Sequence, residues 1–187
     1  MVIEPQRWTG VVLAGGRSSR MGRDKALLLW QGRPLIEQQI ALLRAAGAHD
    51  VKVSGDRPGY DGIADGAPHA GPLGGIASIA AVCPDGELLI VPVDMPRLQP
   101  ALLQRLRDTA AAAASVRFAG HVLPMRLRLD DRCRAALSEL MLAADHRERA
   151  LRALQACVGV SEAILHADEA SQLLDCNTEA SWREAHA

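Results

Sequence analysis

Aromatic side chains are scarce in this 187-residue chain: three Trp, one Tyr and one Phe, or 3% of the total. A core built on ring stacking is therefore excluded. Packing has to come from Leu, Val, Ile and Ala, which carry most of the 49% hydrophobic fraction. Net charge is nearly absent as well, with 21 Lys+Arg against 22 Asp+Glu. That balance excludes broad electrostatic binding to nucleic acid or to an anionic membrane, and leaves room for a local basic pocket. No run approaches the ~18 consecutive apolar residues of a membrane span. Glu4, Pro5 and Arg7 precede the first apolar run, so no signal peptide is expected. The four cysteines, at positions 83, 133, 157 and 176, form no C-x-x-C pair and have no His at zinc-finger spacing. Four reduced thiols in a cytoplasmic protein are expected. No repeat and no Ser/Gly linker divides the chain, and a single domain over residues 1–187 is expected.

What is present is an alternation of short apolar runs and helical patterns. Thr9–Ala14 reads as a buried strand ending at Gly15-Gly16. Pro34 opens a helix carrying Ile36, Ile40, Leu43 and Ala46, ended by Gly47. His49–Val53 is a second strand, with Tyr60–Ala64 a short third. Gly71–Val82 is a helix, and Glu87–Val93 (ELLIVPV) a strand apolar on both faces, as in a parallel sheet. Pro100–Ala114 is a helix whose end takes in the Ala110–Ala114 run. Strands are predicted around Gly120 (Ser115–Ala119 and His121–Leu127), helices over Asp131–Ala143 and His146–Ala156, a late strand over Val158–Leu165, and a terminal helix over Thr178–Ala185. Strand–helix alternation through the first 115 residues implies βαβ units and a mostly parallel sheet. Ligands of such sheets bind beyond the carboxyl ends of the strands. Two polar features fall there: the loop after Thr9–Ala14, and Asp94 after Glu87–Val93.

The loop reads Leu13-Ala14-Gly15-Gly16-Arg17-Ser18-Ser19-Arg20-Met21-Gly22-Arg23-Asp24-Lys25. It matches neither G-x-G-x-x-G nor G-x-x-x-x-G-K-[ST]. Its ingredients are those of a phosphate cradle: glycines that admit a close backbone approach, and four cations (Arg17, Arg20, Arg23, Lys25) with two serine hydroxyls. Asp94 ends an apolar strand, where a charge is costly unless paired, solvated or bound to an ion. It reads either as a ligand for magnesium, which takes few protein ligands, or as a cap for the helix that follows. Asp65, beside Gly66, reads as a turn residue. Asp175 and Asn177 read equally as ligand contacts and as caps of the terminal helix.

The run LAGGRSSRMGRDKALL resembles the N-terminal signature of the molybdenum cofactor guanylyltransferases, within the nucleotidyltransferase superfamily. Gly71-Pro72-Leu73-Gly74-Gly75-Ile76 resembles the family's second glycine-rich segment, Pro92-Val93-Asp94-Met95-Pro96-Arg97-Leu98 its metal-binding strand end, and Asp175-Cys176-Asn177-Thr178 its C-terminal Asn-x-Asn-Thr segment. The resemblance implies an α/β fold of three layers, Rossmann-like, with a mostly parallel, mixed sheet flanked by helices. It implies a nucleotide-binding part over about residues 8–98 and an acceptor-binding part over about 99–187. The implied reaction transfers GMP from GTP to the terminal phosphate of molybdopterin, with Mg2+ as cofactor. GTP and molybdopterin are then the substrates, and molybdoenzymes or their chaperones the implied protein partners. Carried over residue by residue, Leu13, Ala14, Gly15, Gly16, Lys25, Ser54, Asp65 and Asp94 bind the nucleotide. Lys25, Arg20 and Asp94 are catalytic, Asp94 also holds the metal, and Asp175 and Asn177 contact the acceptor. Ser54 stands where the family tends to have Asn, and Ser offers fewer simultaneous donors and acceptors. His121 and Pro124 are separated where the family often pairs His with Pro. The related cytidylyltransferases tend to have a second Ala where this chain has Gly15, and a smaller residue there favours the larger purine. A non-catalytic nucleotide-binding or cofactor-handover protein is the alternative outside enzymes.

Overall fold

The computed structural model describes residues 7–15, 24–67, 70–143, 150–176 and 182. In chain order its strands are β1 (Trp8–Leu13), β2 (Leu29–Trp30), β3 (Arg33–Pro34), β4 (Asp50–Ser54), β5 (Gly86–Pro92), β6 (Ser115–Phe118), β7 (Met125–Leu129) and β8 (Val160–Ala163). Its helices are α1 (Leu35–Ala45), α2 (Gly71–Val82), α3 (Pro100–Asp108), α4 (Asp131–Leu142) and α5 (Leu151–Val158). Six strands form one sheet in the order β4-β1-β5-β7-β6-β8, while β2 and β3 make a separate two-stranded ribbon. β1 pairs in parallel with β4 and with β5. β7 then runs antiparallel to both β5 and β6, and β8 lies parallel to β6. The sheet is thus parallel where the nucleotide motifs lie and mixed beyond them, as the α/β reading expects.

Two apolar layers hold helices to the faces of this sheet. On one face Trp8 and Val12 of β1 pack with Leu35, Ile36 and Leu43 of α1 and Leu102, Leu103 and Leu106 of α3. On the other, Val11 and Leu13 meet Leu73, Ile76 and Ile79 of α2, with Leu137 of α4 and Leu154 of α5. Alternate residues of β1 serve opposite faces, as the strand period of two requires. Gly10 is the place where α1 comes closest: a Cβ there would stand 3.0 Å from Leu43 Cβ. All four cysteines are unpaired, with Cys83, Cys133 and Cys176 buried. Burial pushes the Cys133 and Cys176 thiols up to about 11. Among the described residues no helix is long and apolar enough to cross a membrane.

The sequence boundaries hold within a residue or two for most elements, and three expectations need correction. The third strand over Tyr60–Ala64 reduces to one parallel bridge, Ser54 to Ile63, after a 3-10 turn at Pro58–Tyr60. Asp61 takes φ 50° there, which turns the chain instead of extending it. The helix over Pro100–Ala114 stops at Asp108. Ala110 has φ 45°, and the buried Arg126 guanidinium donates to the carbonyls of Arg107, Ala110 and Ala113 at 2.8–2.9 Å. An ion deep in the sheet thus captures the carbonyls of the Ala run, and a longer helix would leave that ion short of acceptors. The strand over His121–Leu127 begins only at Met125, after Pro124, which has no N–H for a ladder. The helix over His146–Ala156 is seen as Leu151–Val158, with 144–149 outside the described residues. The terminal helix over 178–185 also lies outside them, Trp182 excepted.

Candidate active site

The parallel strands β4, β1 and β5 end side by side, and their ladder continues one step past β1 and β5. Ala14 N–H donates to Ser54 O at 3.0 Å, and Val93 N–H to Leu13 O at 3.2 Å. Beyond these ends lies a cleft of about 220 Å3. Leu13, Ala14, Gly15, Lys25, Ser54, Asp65 and Asp94 all line it, joined by the first residues of α2, Gly71 and Pro72. The N-terminal end of α2 thus borders the cleft, and the positive end of a helix dipole favours an anion. Gly16 and Arg20, expected at the nucleotide, and Asn177, expected at the acceptor, lie outside the described residues.

Close backbone packing shapes the cleft wall. Gly55 has φ 115°, and a Cβ on it would stand 2.7 Å from Gly15 Cα and N. The two glycines therefore lie back to back where the loops after β1 and β4 meet. On α2, a Cβ on Gly75 would stand 2.2 Å from Ser54 Oγ. That fit is the physical content of the second glycine-rich segment: α2 settles onto the end of β4. Ser54 is buried, and its hydroxyl lies 3.5 Å from Asp65 Oδ1. Burial raises the Asp65 carboxyl above its ordinary value, with the Ser54 hydroxyl pulling the other way.

Opposite this wall Lys25 Nζ lies 3.4 Å from Asp94 Oδ2, and the two side chains are only 15% and 18% exposed. Each is mounted by its own element. Lys25 opens a 3-10 turn (Lys25–Leu27) capped by Asp24, whose Oδ1 accepts from Ala26 N–H at 3.1 Å. Asp94 follows β5 and is not a helix cap, since Gln99 takes that place for α3. Its flanks are held on two sides. Gln39 and Gln38 of α1 donate to Met95 O at 2.8 Å and to Pro96 O at 3.0 Å. Cys176 N–H donates to Asp94 O at 2.9 Å. The last contact brings the chain's late segment to the strand end and sets exposed Asp175 near Asp94.

A second, larger cleft of about 810 Å3 adjoins the first and shares Pro72, Pro92, Asp94 and Leu123 with it. Its further walls include His121, Val122, Leu151, Arg152, Leu174 and Asp175. Of the two residues expected at the acceptor, Asp175 thus lies on this cleft. Sequence reasoning missed Arg57, Leu123 and Arg152. Arg57 follows a strand end without forming a spacing pattern, and Leu123 and Arg152 join the site only through tertiary packing. Among the described residues no cluster of three or more His, Cys, Asp or Glu could enclose a metal. Carboxylates spread along the clefts at Asp65, Asp94 and Asp175, and not gathered into a cluster, suit a hard cation that keeps waters and phosphate oxygens, as magnesium does, and not an ion needing an all-protein cage.

Parallel strand ends, a glycine-lined anion cleft and a lysine facing a carboxylate describe a nucleotidyltransferase of the α/β class. Residues 10–163 match the family described as MobA-like NTP transferase domain, and the chain belongs to that family. It is 53% identical to the molybdenum cofactor guanylyltransferase of Xanthomonas euvesicatoria pv. vesicatoria over 94% of this chain and 92% of that one. The enzyme of the same name from Pseudomonas paraeruginosa is 41% identical over 55% of this chain and 56% of its own. The solved molybdopterin-guanine dinucleotide biosynthesis protein A of Archaeoglobus fulgidus superposes with a TM-score of 0.74 at 17% identity, covering 95% and 96% of the two chains. That last likeness concerns the fold.

Proposed function

We propose that this protein transfers GMP from GTP to the terminal phosphate of molybdopterin, giving molybdopterin guanine dinucleotide and pyrophosphate. The observation that carries the reading is the Lys25–Asp94 pair, 69 residues apart in sequence, held 3.4 Å apart beside two adjoining clefts. A transfer between two bound phosphates needs two sites meeting at one charged point. The smaller, glycine-lined cleft takes the nucleotide; the larger one takes the acceptor, its apolar wall facing the pterin and Arg152 and His121 facing its polar groups.

The chemistry asks little of the protein beyond positioning and charge. An acceptor phosphate oxygen attacks the α-phosphorus in line, the bond to the bridging oxygen breaks, and pyrophosphate leaves. Gly15 admits the nucleotide close to the backbone, and Ser54 and Asp65 line the far wall. Lys25 neutralises charge as it builds on the departing pyrophosphate. Asp94 would hold magnesium, which when bound would supply further charge neutralisation on the phosphates. The family resemblance of their segments assigns Gly16 and Arg20 to the nucleotide and Asn177 to the acceptor. A cytoplasmic location, where the cofactor is handed on to molybdoenzymes or their chaperones, completes the reading.

The test is pyrophosphate release from GTP, CTP and ATP, each with magnesium and loaded molybdopterin. Release is expected with GTP, and release with CTP alone overturns the guanine assignment. Asp94→Asn is expected to lower turnover on the order of 100-fold or more while the melting curve stays in place. An Asp94→Asn enzyme of ordinary activity without magnesium overturns the metal's place.

A further inference from the structure

Arg57 ties together two pieces of chain that flank the glycine-rich run. Its Nε and Nη2 donate to Ala14 O at 3.2 and 2.9 Å. The same Nη2 donates to Asp24 Oδ1 at 2.9 Å, and Nη1 pairs with Asp24 Oδ2. One planar guanidinium thus grips the carbonyl at the end of β1 and, bidentately, the residue immediately before Lys25. Lysine could not do this, since a point charge lacks the fork. The arginine is itself firmly mounted. Its carbonyl accepts from Tyr60 and Gly62 N–H, both at 2.9 Å, and its side chain is only 17% exposed. Asp24 in turn caps the turn that Lys25 opens. The chain of contacts runs Ala14–Arg57–Asp24–Ala26 and fixes where the Lys25 backbone stands relative to the nucleotide cleft.

We propose that Arg57 is a positioning residue for the transfer: it locks the Asp24 cap to the end of β1 and so aims Lys25 at the phosphates beside Asp94. The proposal rests on the transferase reading for its kinetic consequence and on the geometry alone for its structural one. Loss of the fork leaves the charge count unchanged in Arg57→Lys but frees the turn. Because Lys25 acts where charge develops on the leaving group, the loss falls on kcat more than on the KM for GTP.

Two measurements on the full-length protein decide it. In Arg57→Lys, exchange of the Ala26 amide is expected to rise about tenfold while the melting temperature stays within a few degrees. Turnover is expected to fall about tenfold or more. In a Lys25→Ala background the same change is expected to cost less than about threefold, because both substitutions act through one amine. Where Arg57→Lys does not fold, Asp24→Asn weakens the same bridge from its other end and is expected to show the same pattern. An Ala26 amide protected as in the wild type overturns the proposal, as do full, multiplicative losses in the two backgrounds. A wild-type protein without GTP-dependent pyrophosphate release removes the transferase reading alone, and the exchange measurement then decides the bridge by itself.

Discussion

Asp65 shows what burying a carboxylate costs at one residue. The carboxyl sits against Ser54, Gly15 and Gly75, where burial raises its pKa above the ordinary 3.8. A group whose folded pKa is raised keeps its proton more readily in the native state. Its contribution to stability is full below pH 3.8 and is lost as pH rises through the folded value. At neutral pH the charge therefore opposes folding. Asp65→Asn keeps the shape and removes the charge, so the melting temperature at pH 7 is expected to rise while affinity for GTP falls. Scanning calorimetry with a GTP titration checks both, and a lowered melting temperature would show the carboxylate to be structural. The turn reading of Asp65 drawn from its neighbour Gly66 does not account for this burial, which comes from β4 and α2 and not from its own loop.

At the scale of elements, the nucleotide half was largely legible and the rest was not, for reasons that differ. Strand β1, helix α2 and strand β5 are announced by their own residues: an apolar run ending in glycines, a Gly-Pro helix opening, and ELLIVPV. They are short-range signals, and the place of Asp94 beyond β5 follows from the rule for parallel sheets. The α3 terminus is not announced locally, because Arg126, on a distant strand, takes its carbonyls. Arg57 is likewise silent in sequence, since its meaning lies in contacts with Ala14 and Asp24. Glycine contacts are intermediate: the composition marks them, and only the packing says which are obligatory. Gly55, with φ 115° and a would-be Cβ 2.7 Å from Gly15 backbone atoms, cannot take a side chain without parting two loops. Gly55→Ala is expected to cost at least ~2 kcal/mol in denaturant unfolding and to weaken GTP binding. A cost below about 0.5 kcal/mol, within the ordinary range for surface changes, would show that the loops part freely.

The whole molecule is divided by its sheet at β5, where parallel pairing with β1 gives way to antiparallel pairing with β7. The smaller cleft rests on the parallel side. The larger cleft is built mainly from the segment between β6 and β7, from α5 and from the late chain around Asp175. Asp94 and Leu123 belong to both. If the smaller cleft takes the nucleotide and the larger the acceptor, as proposed above, the two substrates are addressed by separate residues that meet at the shared edge. Arg152 lies wholly on the acceptor side and carries a charge suited to an anionic group there. A charge-assisted hydrogen bond contributes roughly 1.5–3 kcal/mol, so Arg152→Ala is expected to raise the acceptor KM about tenfold or more. Affinity for GTP, measured by calorimetry without acceptor, is expected to stay within about twofold, because sites that share no partner add independently. Lys25→Ala should give the reverse, weakening GTP binding while sparing acceptor binding. If Arg152→Ala instead lowers GTP affinity as strongly as it raises the acceptor KM, the two clefts act as one. The division of labour at β5 would then have to be abandoned.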